Sequence, residues 1–432
     1  MHLHRPLSSV LVAAALALAA CGGDDTAPAD PGAAPDTSSA TGDAPAASAP
    51  ATPADLPRGL LLALSTFRNG DDGKPVPQSE LVVVTRAGGA WSATSVSDPD
   101  SNVFHKAMVV DLPGHGPSLV TLGAMKAAVK RWQKGDAGLA PAETLWEAKF
   151  GGTFDRMRDG EAADLFGDGK HALAIATHDQ GVVAVLRAVD GGGWVATELD
   201  RKPDTFVHEI ELGDLDGDGV SEIYATPSAP NKLDGTPQPG EVVRFAPGNG
   251  EGRSVVADLG MRHAKEILVA DVDGDGRDEL YVSVEAAEGG NLEVKRYDAG
   301  TDPTAGAVVV TLADPMCRFL TAGDIDGDGK KEMVVAAKDT GLWLARPGAD
   351  PKAPWTTEQL DADSKGFEHA ALLTDLDGDG VDELYVANDK AKQLNRYVWA
   401  NGKAQRETIY TSASPNAVLT WNLMPVPVSL VR

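Results

Sequence analysis

The stretch Asp214-Leu-Asp-Gly-Asp-Gly-Val-Ser-Glu222 decides the fold, because the chain returns to it three more times. It comes back as Asp271-Val-Asp-Gly-Asp-Gly-Arg-Asp-Glu279, as Asp324-Ile-Asp-Gly-Asp-Gly-Lys-Lys-Glu332 and as Asp375-Leu-Asp-Gly-Asp-Gly-Val-Asp-Glu383. Two weaker copies stand upstream, Asp164-Leu-Phe-Gly-Asp-Gly-Lys-His-Ala172 and Asp111-Leu-Pro-Gly-His-Gly-Pro-Ser-Leu119. Starts at 111, 164, 214, 271, 324 and 375 are separated by 53, 50, 57, 53 and 51 residues.

That period is the length of a four-stranded blade of a β-propeller. An apolar run such as 210–213 enters each acidic loop and a strand such as Ile223-Tyr224-Ala225 leaves it. A third strand (292–297) and a fourth (307–312) complete the unit. Short β-rich runs punctuated by Gly, Asp and Asn argue for an all-β chain. At the N-terminal end, 60–66, 81–86 and 91–96 read as strands two to four of a unit without its first strand. At the other end, 416–422 aligns with the first-strand segment 369–375. The reading is therefore an all-β, seven-bladed propeller in which the N- and C-terminal strands share the closing blade, a device that removes the open edge.

The loops have the composition of a cation site. Carboxylates at positions 1, 3 and 5, with glycine at 6, wrap hard oxygens around one ion, and an acid at position 9 closes the shell. The candidate ligands are Asp214, Asp216, Asp218 and Glu222; Asp271, Asp273, Asp275 and Glu279; Asp324, Asp326, Asp328 and Glu332; and Asp375, Asp377, Asp379 and Glu383. Asp164 and Asp168 form a weaker set, since Phe166 and Ala172 replace two acids, and the loop at Asp111 is expected to be metal-free. An EF-hand would need its bidentate glutamate at position 12. Here that position holds Ala225, Val282, Val335 or Val386, and a strand follows in place of a helix.

This pattern resembles the FG-GAP or VCBS repeat of integrin-α-type propellers, over nearly all of residues 57–432. The resemblance implies about four bound calcium ions and a binding or adhesion role toward a glycan or protein ligand. A second resemblance points elsewhere. His208-Glu-Ile-Glu-Leu-Gly followed by the acidic loop looks like the repeat of rhamnogalacturonan lyases, which implies calcium and an acidic polysaccharide substrate.

Six residues before each loop stands a basic side chain: His105, Arg158, His208, Lys265, Arg318 and His369, with Asn416 at the corresponding place in the closing unit. Basic residues are the minority charge of the chain, 38 against 64 acids. A ring of such residues near the start of the innermost strands would face the axial channel, opposite the acidic loops. It could receive an anionic ligand such as a uronate, sulfate or phosphate. Alternatively each side chain bonds a neighbouring blade or a local acid, and Glu209 and Glu266 are placed to do so.

Residues 1–20 read as a lipoprotein signal peptide: a short basic start, then an apolar run too brief to span a bilayer. It ends in Leu18-Ala-Ala-Cys21, which resembles the lipobox of bacterial lipoproteins and implies acylation of Cys21. Gly22 to Asp55 contains only Ala, Pro, Asp, Ser, Thr and Gly, so residues 21–56 are expected to be a tether unable to repay the cost of ordering. By family analogy Gly22 favours an outer-membrane anchor, on either side of that membrane. Cys317 is then left without a partner and is expected as a small buried residue.

Formal charge of -26 makes nucleic acid and anionic membrane surfaces poor partners, leaving the lipid anchor as the only membrane contact. The sequence shows no nucleophile elbow, CxxC pair or dinucleotide fingerprint, and His208-Glu-Ile-Glu-Leu lacks the second histidine of a zinc-protease helix. The leading expectation is thus a non-enzymatic, calcium-stabilised, carbohydrate- or protein-binding module of the cell envelope. A polysaccharide-active enzyme is the alternative.

Overall fold

The computed structural model describes residues 52–432 apart from 71–72, 137, 152–154, 179, 231, 233 and 367–369. The leader, Cys21 and most of the expected tether lie outside the described residues, as does His369. Among the described residues the strands form seven four-stranded antiparallel sheets. In chain order the first blade holds β1 (Arg58–Asn69), β2 (Pro75–Ala87) and β3 (Ala90–Val96). The second runs from β4 (Ser101–Leu112) through β5 (Gly116–Met125) and β6 (Ala127–Gly135) to β7 (Gly138–Ala148). The third has β8 (Met157–Ala163), β9 (Ala172–Thr177), β10 (Val183–Ala188) and β11 (Trp194–Asp200). The fourth has β12 (Phe206–Gly213), β13 (Glu222–Ser228), β14 (Glu241–Ala246) and β15 (Glu251–Asp258). The fifth has β16 (Ala264–Ala270), β17 (Glu279–Val284), β18 (Leu292–Tyr297) and β19 (Ala307–Leu312). The sixth has β20 (Cys317–Gly323), β21 (Glu332–Ala337), β22 (Gly341–Arg346) and β23 (Thr356–Asp361). The seventh has β24 (Ala370–Thr374), β25 (Glu383–Asn388), β26 (Gln393–Ala400) and β27 (Lys403–Thr411).

The last strand, β28 (Val418–Pro427), crosses back to pair antiparallel with β1. The first blade is therefore completed by the C-terminal strand, as the sequence implies. Each first strand lies against the first strand of the next blade, around the whole circle from β4 to β28 and back to β4. One apolar cluster fills the slot between each pair of adjacent blades, including the slots on both sides of the composite blade. Second strands such as β13 and β17 are buried along their entire length, because a neighbouring blade covers each face. That double burial explains their continuous apolar runs. Fourth strands such as β11 and β23 form the exposed rim.

The closing strand sits in a different register from the one its sequence suggests. β28 carries a bulge at Trp421, with Ala63 paired to Asn422 and Leu64 paired to Thr420. This places Trp421, and not Asn416, at the position matching the basic residues of other blades. The alignment misplaced it by five residues because no acidic loop follows to mark the strand's end. A single turn of helix, α1 (Val428–Val431), stands there instead.

The folded chain also starts earlier than its composition suggests. Thr52 Oγ1 accepts a hydrogen bond from Arg396 Nη1 at 2.8 Å, Pro53 O one from Arg86 Nε at 3.0 Å, and Asp55 Oδ1 one from Gly88 N at 2.8 Å. Polar contacts hold this segment, so its lack of large apolar side chains does not prevent its ordering. Gly88 belongs to the turn between the third and fourth strands of the composite blade, on the same end of the propeller as the acidic loops. Val428, just past β28, donates to Pro57 O at 3.0 Å, so both described ends of the chain lie at the loop end.

Candidate functional site: acidic loops at one end, a charged axial mouth at the other

Each acidic loop is the turn between the first and second strands of its blade. The first aspartate organises it by accepting backbone N–H groups from within the turn. Asp324 takes those of Gly327, Asp328 and Gly329 at 2.7, 3.1 and 2.8 Å. Asp271 does the same for Gly274, Asp275 and Gly276 at 2.7, 3.1 and 3.0 Å. Position 6 needs glycine because the backbone is left-handed there, with φ of 88°, 89°, 83° and 90° at Gly219, Gly276, Gly329 and Gly380.

The four full loops bring carboxylates close enough to share one ion. Asp271, Asp273, Asp275 and Glu279 can each place an oxygen within 4.8 Å of the others, as can Asp214, Asp216 and Asp218; Asp324, Asp326 and Glu332; and Asp375, Asp377 and Asp379. Several acidic clusters can thus hold metal ions. The donors are all oxygens, which suits a hard cation. Among the described residues Asp326 Oδ1 is buried without a hydrogen-bond partner, so this oxygen is available to a cation. The residues therefore fit the calcium that the repeat implies.

Position 9 does more than close a shell. Glu222 Oε2 accepts the Leu215 amide at 3.1 Å and the Tyr224 hydroxyl at 2.7 Å. The hydroxyl contact recurs from Tyr281 to Glu279 at 2.9 Å and from Tyr385 to Glu383 at 3.0 Å. Burial pushes the Glu279 and Glu332 carboxyls up to about 7, with nearby Asp273 and Asp326 adding to it and Arg296 and Arg346 opposing it. Burial also raises Asp377 to about 6, helped by Glu383 and Asp379.

Sequence reasoning missed one recurrent partner, an arginine on the third strand. Arg244 bonds Asp216 at 2.7 Å and Glu222 at 2.6 Å. Arg296 bonds Asp273 at 2.6 Å and Glu279 at 3.0 Å, Arg346 bonds Asp326 at 2.9 Å, and Arg396 pairs with Glu383. In the degenerate loop Arg187 bonds Asp168 at 2.8 Å and lies 4.0 Å over the Phe166 ring. The phenyl face there replaces the missing position-3 carboxylate. These arginines follow the first aspartate by 30, 25, 22 and 21 residues in the full loops (214 to 244, 271 to 296, 324 to 346, 375 to 396), so fixed spacing hides them.

At the opposite end, the first strands carry β-bulges at matching places. The extra residue is His105, Arg158 or Arg318 in β4, β8 and β20, while His208-Glu209 and Lys265-Glu266 span the irregularity in β12 and β16. A bulge re-aims a side chain and locally ends pairing. In the second to fifth blades it brings the basic residue and its successor to the axial depression, whereas in the sixth Phe319 lines it and Arg318 does not. His105, Lys106, Arg158, Asp159, His208, Glu209, Lys265, Glu266, Phe319, Trp421 and Asn422 line a narrow depression there.

Much of this charge is answered locally. His105 Nδ1 lies 2.6 Å from the Met157 carbonyl of the next blade, and Lys265 pairs with Glu266. Lys106 pairs with Asp159 at 3.2 Å and with Glu161. Deeper along the axis, burial raises the Glu209 and Glu211 carboxyls well above their usual range, and neighbouring acids add to the effect. Burial, assisted by Arg158, keeps His105 neutral; burial, with His263, Arg158 and Lys265, does the same for His208. Cys317 is fully buried, its thiol donates to Phe319 O at 3.1 Å, and burial pushes it up to about 12.

The chain is thus a seven-bladed β-propeller that carries FG-GAP-like repeats: a profile described as FG-GAP-like repeat matches residues 271–335 and 324–386. Among solved structures, a candidate 6-phosphogluconolactonase from Bacteroides fragilis superposes with a TM-score of 0.50 at 13% identity, covering 85% of this chain and 98% of that one. The Dos1 propeller superposes with a TM-score of 0.46 at 10% identity, covering 82% and 86%. At such identity these likenesses concern the fold alone. No curated protein matches the sequence.

Proposed function

We propose that this propeller is a calcium-stabilised binding module of the bacterial envelope, held by an acylated Cys21 and directed at a glycan or protein ligand. Four acidic groupings on one end of the ring support the reading, since each offers a place for a cation that would organise its loop. Calcium would be held by the position-1, -3 and -5 aspartates, with the position-9 glutamate shared between the ion and the third-strand arginine. Its role is structural, because each loop ties two strands of one blade and sits apart from the axial depression.

The test is a screen of the full chain against neutral and acidic glycans, with calcium and again with a chelator. Calcium-dependent capture of a glycan supports the module. Retention of the same capture after the ions are stripped removes calcium from the reading. Failure to capture any glycan transfers the role to a protein ligand.

A further inference from the structure

We propose that the axial mouth is an oxyanion site, in which Arg158 and His208 receive one carboxylate, sulfate or phosphate group of the ligand. The inference rests on the binding-module reading and names the chemistry that reading leaves open. Two observations carry it. Among the described residues His208 Nε2 is buried without a hydrogen-bond partner, on a side chain only 8% exposed that lines the depression. A buried polar atom left so is destabilising unless a partner arrives. Among the described residues no carboxylate pairs with the Arg158 guanidinium. It stands 5.4 Å over the Trp421 ring, so its fork of donors stays available to a planar or tetrahedral anion.

The surrounding charges decide how deep the anion sits. Asp159 and Glu266 line the same depression, and their carboxylates disfavour an anion in the channel interior. Lys106 and Lys265 are committed to these acids. The favourable place is therefore the mouth itself. Burial and the nearby cations hold the His208 imidazole neutral, so its Nε2–H tautomer donates a hydrogen bond to the anion and adds no charge of its own. The bulge at His208-Glu209 is the local device that turns the imidazole toward the axis.

The experiment titrates the calcium-loaded full chain with sulfate, inorganic phosphate, D-glucuronate and, as the neutral control, D-glucose, by calorimetry and by NMR of the histidine rings. The expected result is saturable binding of the anions, none of glucose, and a shift of the His208 ring resonances on binding. Preference for glucuronate over the inorganic ions would assign the group to an acidic sugar; equal binding would assign it to a free anion. Arg158→Gln and His208→Gln should each weaken binding at least tenfold with calcium-dependent thermal stability retained. Arg158→Lys, which keeps the charge and loses the fork, should lie between. Absence of anion binding by the unaltered chain, or binding untouched by both variants in folded protein, overturns the site. Calcium-dependent glycan capture that survives in those variants would overturn it too, and would leave the binding-module reading standing.

Discussion

Asp382 Oδ2 accepts a hydrogen bond from the Asp324 amide at 2.9 Å, and the Asp382 amide returns one to the Asp324 carbonyl at 2.8 Å. The two residues belong to the acidic loops of the seventh and sixth blades. The eighth position of one loop thereby clasps the first aspartate of the preceding one. Asp278 holds Asp214 by the same carboxylate contact at 3.0 Å between the fifth and fourth blades.

Removing that clasp should loosen the blade boundary. Asp382→Ala leaves the Asp324 amide without its acceptor and should cost about 1–3 kcal/mol. Asp382→Asn, which keeps an oxygen there, should cost clearly less. Gly323→Ala should also destabilise, because a Cβ on Gly323 would collide with the Asp382 carboxylate and with Leu373 Cβ. Chemical denaturation of the three variants measures these losses; equal stability for Asp382→Ala and Asp382→Asn would contradict the clasp.

The third-strand arginine and a bound cation would compete to balance the same acids. Arg296 contacts Asp273, Glu279 and Asp298, with its side chain 4% exposed. Arg296→Met should therefore cost about 3–5 kcal/mol without metal, the usual consequence of stranding a buried charge. In saturating calcium the loss should shrink, since the ion takes over the neutralisation. An identical loss in both conditions would mean that arginine and ion do not share these carboxylates.

Calcium itself should raise stability in proportion to the filled loops. At ten times a millimolar-range dissociation constant each site contributes about 1.4 kcal/mol, and four sites together ~6 kcal/mol. Chelation should then lower the melting temperature markedly, and Asp271→Asn should remove about a quarter of the calcium-dependent rise. A melting curve indifferent to chelator would refute the ion.

Three histidines, His105 and His208 buried and His178 partly buried, make the mouth end acid-sensitive. Burial, with Arg156 and Arg158 nearby, brings His178 down to about 2, and His105 and His208 are lowered in the same sense. Each binds a proton in the unfolded chain near pH 6.5 but not in the folded one. Their stabilisation is complete above that pH and is lost as the pH falls below it, by up to about 1.4 kcal/mol per pH unit for each histidine. The raised carboxylates Glu209, Glu211 and Asp389 act in the opposite sense, mainly above about pH 4. Stability of the unaltered chain minus that of His178→Gln isolates one histidine; this difference should fall between pH 6.5 and pH 5. A flat difference would refute the neutral imidazole.

Truncation before β28 should destroy cooperative folding. Val418, Leu423 and Val426 would leave the slots on either side of the first blade, and β1 would become an open edge. Size-exclusion chromatography and circular dichroism should show aggregation or loss of the cooperative transition. A monomeric truncated chain with an unchanged melting curve would contradict closure by this strand.

The repeats were legible because each blade must solve the same two problems, a tight turn and a double-faced burial, with the same residue types. Closure by the C-terminal strand was legible for a related reason, since the first unit visibly lacks its innermost strand. What stayed hidden follows from other physics. The third-strand arginines drift in spacing because the turns between second and third strands differ in length. Trp421 escaped notice as a member of the axial ring because a bulge, which adds a residue without a compositional mark, sets the register of β28. Thr52 to Asp55 looked unfit to fold because apolar burial is what composition reports, and this segment is held by hydrogen bonds.

The contact between Thr52 and Arg396 gives the molecule an up and a down. Arg396 also pairs with Glu383 of the seventh acidic loop, so the chain enters the ring at that end. A chain moored to a surface upstream of Thr52 would pull on this end alone. The loops would then be turned toward the mooring and the axial opening would point away from it, free to meet whatever approaches from outside.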